Sequence, residues 1–213
     1  MITIKHPIEF PNTYPLDRIG SLKDILFFDI ETTGFSGETS QLYLIGCTYF
    51  DGFGWKLIQW FADTRQAEKE LLDAFFAFLK RFKILVHFNG DRFDIPYLLK
   101  CCERLGLDYN FDDLVSIDIF KKIKPYRKLL KLENMKQKSI EQFLGVHRED
   151  KYNGGQLIEV YRDYLHTHEK YLFDLLILHN ADDLKGMPSI LPILNYADLF
   201  GSDFTLCSHK LYS

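Results

Sequence analysis

The sequence predicts a mixed α/β fold, a five-stranded sheet covered by helices on both faces. Three features carry this expectation: β-rich runs come first, short apolar runs then alternate with helical spacing, and the last third of the chain reads as helices. Residues 25–34 (I-L-F-F-D-I-E-T-T-G) form the first strand, an apolar run of the kind buried on both faces. Residues 41–50 and 55–62 are the next two strands, and the D-G-F-G between them is a hairpin signal. Residues 66–82 put Leu71, Leu72, Phe75, Phe76, Phe78 and Leu79 on one helical face. Residues 84–88 are a short buried strand, and 93–105 a helix with Pro96 in its first turn and Gly106 as its stop. Residues 114–119 are the fifth strand. A short helix at 139–144 carries a capping box, Ser139 with Gln142, and ends at Gly145. Two more helices follow at 156–166 and 171–184, with Gly186 and Pro188 ending or kinking the second. Residues 1–20 hold Pro7, Pro11 and Pro15 without sustained periodicity, and read as an extended lead-in.

A chain of 213 residues suits one domain spanning 1–213. Its 46% hydrophobic and 15% aromatic content argues for a packed core and against disorder. No apolar run is long enough to span a membrane, and M-I-T-I-K-H-P lacks the layout of a signal peptide, so the expectation is a cytoplasmic protein with no membrane partner. Cys47, Cys101, Cys102 and Cys207 show no C-x-x-C spacing, which indicates free thiols rather than a zinc site or disulfide framework. The net charge of −4 argues weakly against a polyanionic partner. Its distribution does not: residues 121–138 hold eight Lys/Arg against one acid, Glu133, and local basicity is what binds polyanions.

The first strand carries two carboxylates, Asp29 and Glu31. Strand side chains alternate faces at about 3.3 Å per residue, so the pair shares a face roughly 6.5 Å apart. A buried carboxylate costs several kcal/mol unless compensated, and a hard divalent cation is one compensation. Solvent access or an Arg at the strand end is another. Asp94 lies in N-G-D-R-F-D, where a strand gives way to a helix beyond the carboxyl end of the sheet, a place for ligands and equally for a helix cap. In H-N-A-D-D-L, His179 and Asp183 are four apart on a helix and share a face, while Asp182 is three from His179, so spacing alone leaves both aspartates open.

Taken in this order, F-D-I-E-T-T-G, N-G-D-R-F-D and H-N-A-D-D-L resemble the three exonuclease motifs of the DEDD exonucleases in the ribonuclease-H-like superfamily. The resemblance is closest to the YprB-like branch. It runs from about Asp24 to Leu194 and includes L-Y-L-I-G after the first motif and S-I-E-Q-F-L-G before the third. It implies a ribonuclease-H-like sheet, with Asp29, Glu31, Asp94 and Asp183 as ligands of two divalent ions, Mg²⁺ or Mn²⁺. Asp29 would bridge the ions, Glu31 and Asp183 would complete one site, and Asp94 would hold the other. His179 takes the place of the third-motif Tyr or His that orients the attacking water. In the Tyr-type families that residue lies four before the last Asp and in the His-type families five; this chain has a His at the Tyr-type spacing.

The implied activity is metal-dependent 3′→5′ exonuclease cleavage of nucleic acid with a single-stranded 3′ end, by a two-metal-ion route. Neutral imidazole suits proton transfer near neutral pH. Lys121, Lys122, Lys124, Arg127 and Lys128, with Lys131 beside them, are candidates for backbone phosphates, against the alternative of a solvated loop. Phe35 and Tyr126 are candidates for base stacking or for packing. Two other functions compete: a nucleic-acid-binding module whose hydrolysis is vestigial, and a structure-specific endonuclease on the same fold. The presence of all four carboxylates weighs against the first. The choice between DNA and RNA stays open, and a helicase is a candidate for delivering substrate.

Overall fold

The computed structural model describes residues 1–11 and 13–195. Its sheet has six strands, β1 (Ile2–Pro7), β2 (Ile25–Thr32), β3 (Leu42–Phe50), β4 (Trp55–Phe61), β5 (Ile84–His87) and β6 (Val115–Asp118). They lie in the order β1-β4-β3-β2-β5-β6. The first four pair antiparallel, whereas β5 and β6 add parallel to β2. Helices α1 (Glu68–Leu79), α2 (Asp94–Leu105), α3 (Ile119–Ile123), α4 (Gln137–Phe143), α5 (Gly154–Thr167) and α6 (Lys170–Ile190) cover it.

Alternation along β2 divides the interior in two. Leu26 and Phe28 face a core shared with α1, α2 and α5, while Ile25 and Phe27 face a second core with α3, α4 and the C-terminal half of α6. Asp29 and Glu31 continue the second face, so the carboxylates emerge where the strand leaves its apolar cover and α6 passes over it. The expected hairpin is present: Asp51 accepts from the N–H groups of Phe53 and Gly54, and Gly52 takes φ 101°, a left-handed conformation suited to glycine.

Three expectations need correction. The sheet has six strands rather than five, because residues 2–7 of the supposed lead-in pair with β4, Ile2 against Phe61 through Pro7 against Lys56. Ile2 and Ile4 are its only inward apolar residues, too short a pattern to register, and Pro7 sits at the end of an edge strand where its missing N–H is tolerated. The Ser139 capping box does not form: α4 starts at Gln137, whose side chain is needed to reach Glu141 and the Asp183 carbonyl. α6 runs through Gly186 and Pro188 to Ile190. Leu184, Met187, Pro188 and Ile190 are buried there, and that packing outweighs the roughly 3 kcal/mol an interior proline costs. Cys47, Cys101 and Cys102 are buried free thiols, and Cys207 lies outside the described residues. No helix among the described residues is long and apolar enough to cross a membrane.

Candidate metal centre

Three elements deliver the four acidic residues to one place. Asp29 and Glu31 come from β2, Asp94 is the first residue of α2 just beyond the end of β5, and Asp183 stands on α6. Single ligand atoms of Glu31, His179 and Asp183 lie within 4.8 Å of one another. His179 Nε2 is 3.4 Å from Asp183 Oδ2 and 3.7 Å from Glu31 Oε1. Asp94 is tied to β2 by accepting from the Ile30 N–H as well as from its own.

The carboxylates crowd each other electrostatically. Burial pushes Asp29 well above the usual carboxylate range, and the charges of Asp183, Glu31 and Asp94 push it further, against one bond from Asn180. Glu31 is raised well above its usual value by burial and by Asp183, Asp94 and Asp150, with Arg148 opposing. Asp94 is pushed up to about 7, first by burial and then by Asp118 and Asp183, against its two backbone bonds. A cleft that holds this many carboxyls too close to ionise together is suited to hard cations, whose charge reverses the penalty. The donor set, all oxygen with one neighbouring imidazole, fits Mg²⁺ or Mn²⁺.

The two aspartates that spacing left open part company here. Asp182 points away, its Oδ2 accepting from the N–H groups of Glu149 and Asp150 at 2.9 Å each. Asp183 faces Glu31 and His179, with its Oδ1 held by Arg148 Nη1 at 2.5 Å.

Several partners escape sequence reasoning. Asn180, fully buried, donates Nδ2–H to Asp29 Oδ2 at 2.9 Å and accepts from Gln59 Nε2 at 2.8 Å. Asp29, Gly46 and Gln59 are register neighbours on β2, β3 and β4, and only a glycine at 46 leaves room: a Cβ there would stand 1.9 Å from Asn180 Oδ1. Arg148 is buried between Asp183, Glu141 and Asp150. Asp150 Oδ2 lies 2.7 Å from His179 Nδ1. The only local signal for these was the compact R-E-D just beyond the Gly145 stop.

A second cluster, His87, Asp91 and Asp118, also brings three ligand atoms within 4.8 Å. Its hydrogen bonds argue against a metal. His87 Nδ1 accepts from the Gly90 N–H at 3.0 Å, so the ring proton is on Nε2, which donates to Ser116 Oγ at 2.8 Å. Neither nitrogen has a lone pair to give, and Lys121 already covers Asp91.

The basic segment starts beside this cluster, because Asp118 caps α3 by accepting from the Lys121 N–H. The segment divides by commitment. Lys121 is ion-paired with Asp91 at 2.5 Å, and Arg127 bonds to the carbonyls of Leu132 and Glu133. Lys124 lies over the Phe120 ring. Lys122, Lys128 and Lys131 are exposed and make no ion pair among the described residues. Tyr126 is half-buried at the rim of a cleft with Lys122, whereas Phe35 is 94% exposed and meets Phe93, the residue before Asp94, edge to face at 6.4 Å.

Comparison with known proteins agrees with this architecture. A family model described as RNase_H superfamily matches residues 26–195. The chain is 33% identical over 104 residues to a DNA polymerase of Thermococcus kodakarensis, covering 45% of this chain and 6% of that one. It is 32% identical over 102 residues to a DNA polymerase of Pyrococcus glycovorans, covering 44% and 13%. The chain thus spans a small fraction of the curated relatives it matches. The solved structure of the family B DNA polymerase from Pyrobaculum calidifontis superposes on 80% of this chain and 24% of its own length with a TM-score of 0.65 at 16% identity, a likeness of fold. Since the family match runs from β2 through the end of α6, taking in every residue of the acidic cleft, the chain belongs to the RNase_H superfamily.

Proposed function

We propose that this chain is a metal-dependent 3′→5′ exonuclease acting on nucleic acid. One observation carries the reading: Asp29, Glu31, Asp94 and Asp183 converge in a cleft where mutual charge and burial raise Asp29, Glu31 and Asp94 above the carboxylate range. Asp29, Glu31, Asp94 and Asp183 would hold two Mg²⁺ or Mn²⁺ ions. Bound there, the ions would supply charge for the developing oxyanions and lower the pKa of the attacking water.

The chain's own residues supply the rest. His179 Nε2, 3.4 Å from Asp183 and 3.7 Å from Glu31, is the acceptor for the water's proton. The water oxygen forms the new P–O bond, and the bond to the 3′-oxygen breaks with its electron pair on that oxygen, which takes a proton from solvent. Phe35, exposed and set edge to face against the half-buried Phe93, offers an aromatic surface for a terminal base. Lys122, Lys124, Lys128 and Lys131 are free to meet phosphates, with Lys121 and Arg127 shaping their support. The 3′→5′ direction and the YprB-like placement rest on the motif resemblance, and the identity to archaeal DNA polymerases supports a DNA-processing role.

The test is incubation of the protein with 5′-labelled single-stranded and duplex DNA and RNA, with Mn²⁺ or with EDTA. A ladder shortening from the 3′ end only with Mn²⁺ supports the reading. A single internal cut would make the protein an endonuclease, and metal-independent or absent cleavage would overturn the proposal.

A further inference from the structure

The two residues that α6 turns toward the carboxylates, His179 and Asp183, are both gripped from behind by one short stretch, residues 148–150. Arg148 donates from Nη1 to Asp183 Oδ1 at 2.5 Å and to Glu141 Oε2 at 3.1 Å. Asp150 Oδ2 meets His179 Nδ1 at 2.7 Å. In each case the opposite atom, Asp183 Oδ2 or His179 Nε2, faces the cleft.

Asp150 is built to hold still. It is buried, its Oδ1 accepts the Tyr152 N–H at 2.8 Å, and its own N–H is anchored on Asp182. Lys138 Nζ and Arg148 Nη2 approach Oδ2 at 3.5 Å and 3.7 Å. The Tyr152 N–H, the His179 ring and Lys138 outweigh burial and keep the carboxyl below its ordinary pKa, so it remains an anion with no proton to give. A neutral imidazole has one N–H and one lone pair, and a carboxylate can only accept; the ring proton must therefore sit on Nδ1 and the lone pair on Nε2.

We propose that Asp150 is a positioning residue that fixes His179 as its Nδ1–H tautomer, while Arg148 commits one oxygen of Asp183 and leaves the other for the cleft. The pair then presents one lone pair and one carboxylate oxygen side by side, the arrangement a proton acceptor next to a water site requires. This deepens the exonuclease reading and rests on it for its catalytic meaning, but the tautomer is a property of the folded chain that can be read without any hydrolysis.

The experiment records long-range ¹H–¹⁵N spectra of the histidine side chains in the ¹⁵N-labelled full chain, with His179 assigned by the signals lost in His179→Gln. Wild-type His179 is expected to show a protonated Nδ1 and an unprotonated Nε2. In Asp150→Asn the amide can donate to Nδ1, so the tautomer is expected to reverse. With substrate and Mn²⁺, kcat should then fall about 10²- to 10⁴-fold with KM within about threefold of wild type, the scale of a lost positioned base. Asp150→Glu, which keeps an accepting anion, should keep the Nδ1–H tautomer and recover part of kcat. A protonated Nε2 in wild-type His179 overturns the proposal, even if a variant fails to fold. So does a folded Asp150→Asn that reverses the tautomer without lowering kcat. If no substrate is hydrolysed by wild type yet the tautomer behaves as stated, the exonuclease reading fails and the positioning role stands.

Discussion

Asn180 Nδ2 donates to Asp29 Oδ2 across 2.9 Å, and the approach exists because the residue beside Asp29 on the next strand is Gly46. Gly46→Ala would drive a Cβ to within 1.9 Å of Asn180 Oδ1 and 2.7 Å of Leu184 Cδ1, so the Asn180 amide must leave the place where it meets Asp29 and Gln59. Overpacking of this kind costs about 1–3 kcal/mol. Denaturant unfolding should report a loss in that range, and calorimetric titration with Mn²⁺ should show weaker binding, since Asp29 loses the Asn180 bond that orients it. An unchanged midpoint and affinity would mean that the contact is slack.

The metal-free protein should lose stability as pH rises. Asp29, Glu31 and Asp94 have folded values above their unfolded ones, so the folded chain holds protons that the unfolded chain releases. Their contribution is complete below the ordinary carboxylate values near pH 4 and is lost upward, through about 7 for Asp94. Melting curves in EDTA should therefore fall between about pH 4 and 7, less steeply for Asp29→Asn, which should melt higher at pH 7 and lack hydrolysis. Saturating Mn²⁺ should release protons on binding in the same window, readable by titration in buffers of different ionisation enthalpy.

Arg148→Met should be costly for a reason unrelated to catalysis. Glu141 is fully buried, and with burial already raising its pKa it depends on Arg148 and Gln137. Removing one member of a buried pair costs about 3–5 kcal/mol, and adding Glu141→Gln should restore part of it. If the double variant is no more stable than the single, the pair is not what holds this corner.

The basic segment should not respond uniformly. Replacing Lys122 and Lys128 by Gln is expected to weaken binding to single-stranded DNA and reduce the log-log salt slope by about 0.7 per lost phosphate contact. Lys121→Gln should change the slope less, because that ammonium is committed to Asp91, and should loosen the bonds linking Asp91, Ser116 and His87 instead. Equal slopes for both variants and wild type would return the segment to a solvated loop.

The fold is legible in the sequence where information is local. β2 to β4, α1, α2 and the Gly106 stop follow from runs and periodicity, and Gly106 takes the left-handed φ of 66° that such a stop requires. β1 was missed because its partner β4 lies some fifty residues on, and Pro188 misled because what holds α6 together there is the core against which Met187 and Ile190 pack. The same division runs through the cleft. Asp29, Glu31, Asp94, His179 and Asp183 stand in contiguous motifs and converge in space; their role with metal is our proposal. Arg148, Asp150 and Gln59 announce little in sequence beyond the compact R-E-D, because the site partner of each lies 29 or more positions away.

One turn of α6 assigns a different neighbour to nearly every position: His179 to Asp150, Asn180 to Asp29, Asp182 to the 149–150 backbone, Asp183 to Arg148. Such a turn has little freedom to drift, and neither has the stretch that answers it. Substitutions in the two places should be epistatic: the effect of a change at 148 or 150 should depend on the residue at 183 or 179, so coupling energies between these pairs should exceed those between either residue and its own sequence neighbours. For descendants of this architecture, the heritable unit is then a bipartite one, R-x-D and H-N-x-D-D inherited together across an intervening helix whose own sequence is at liberty to vary.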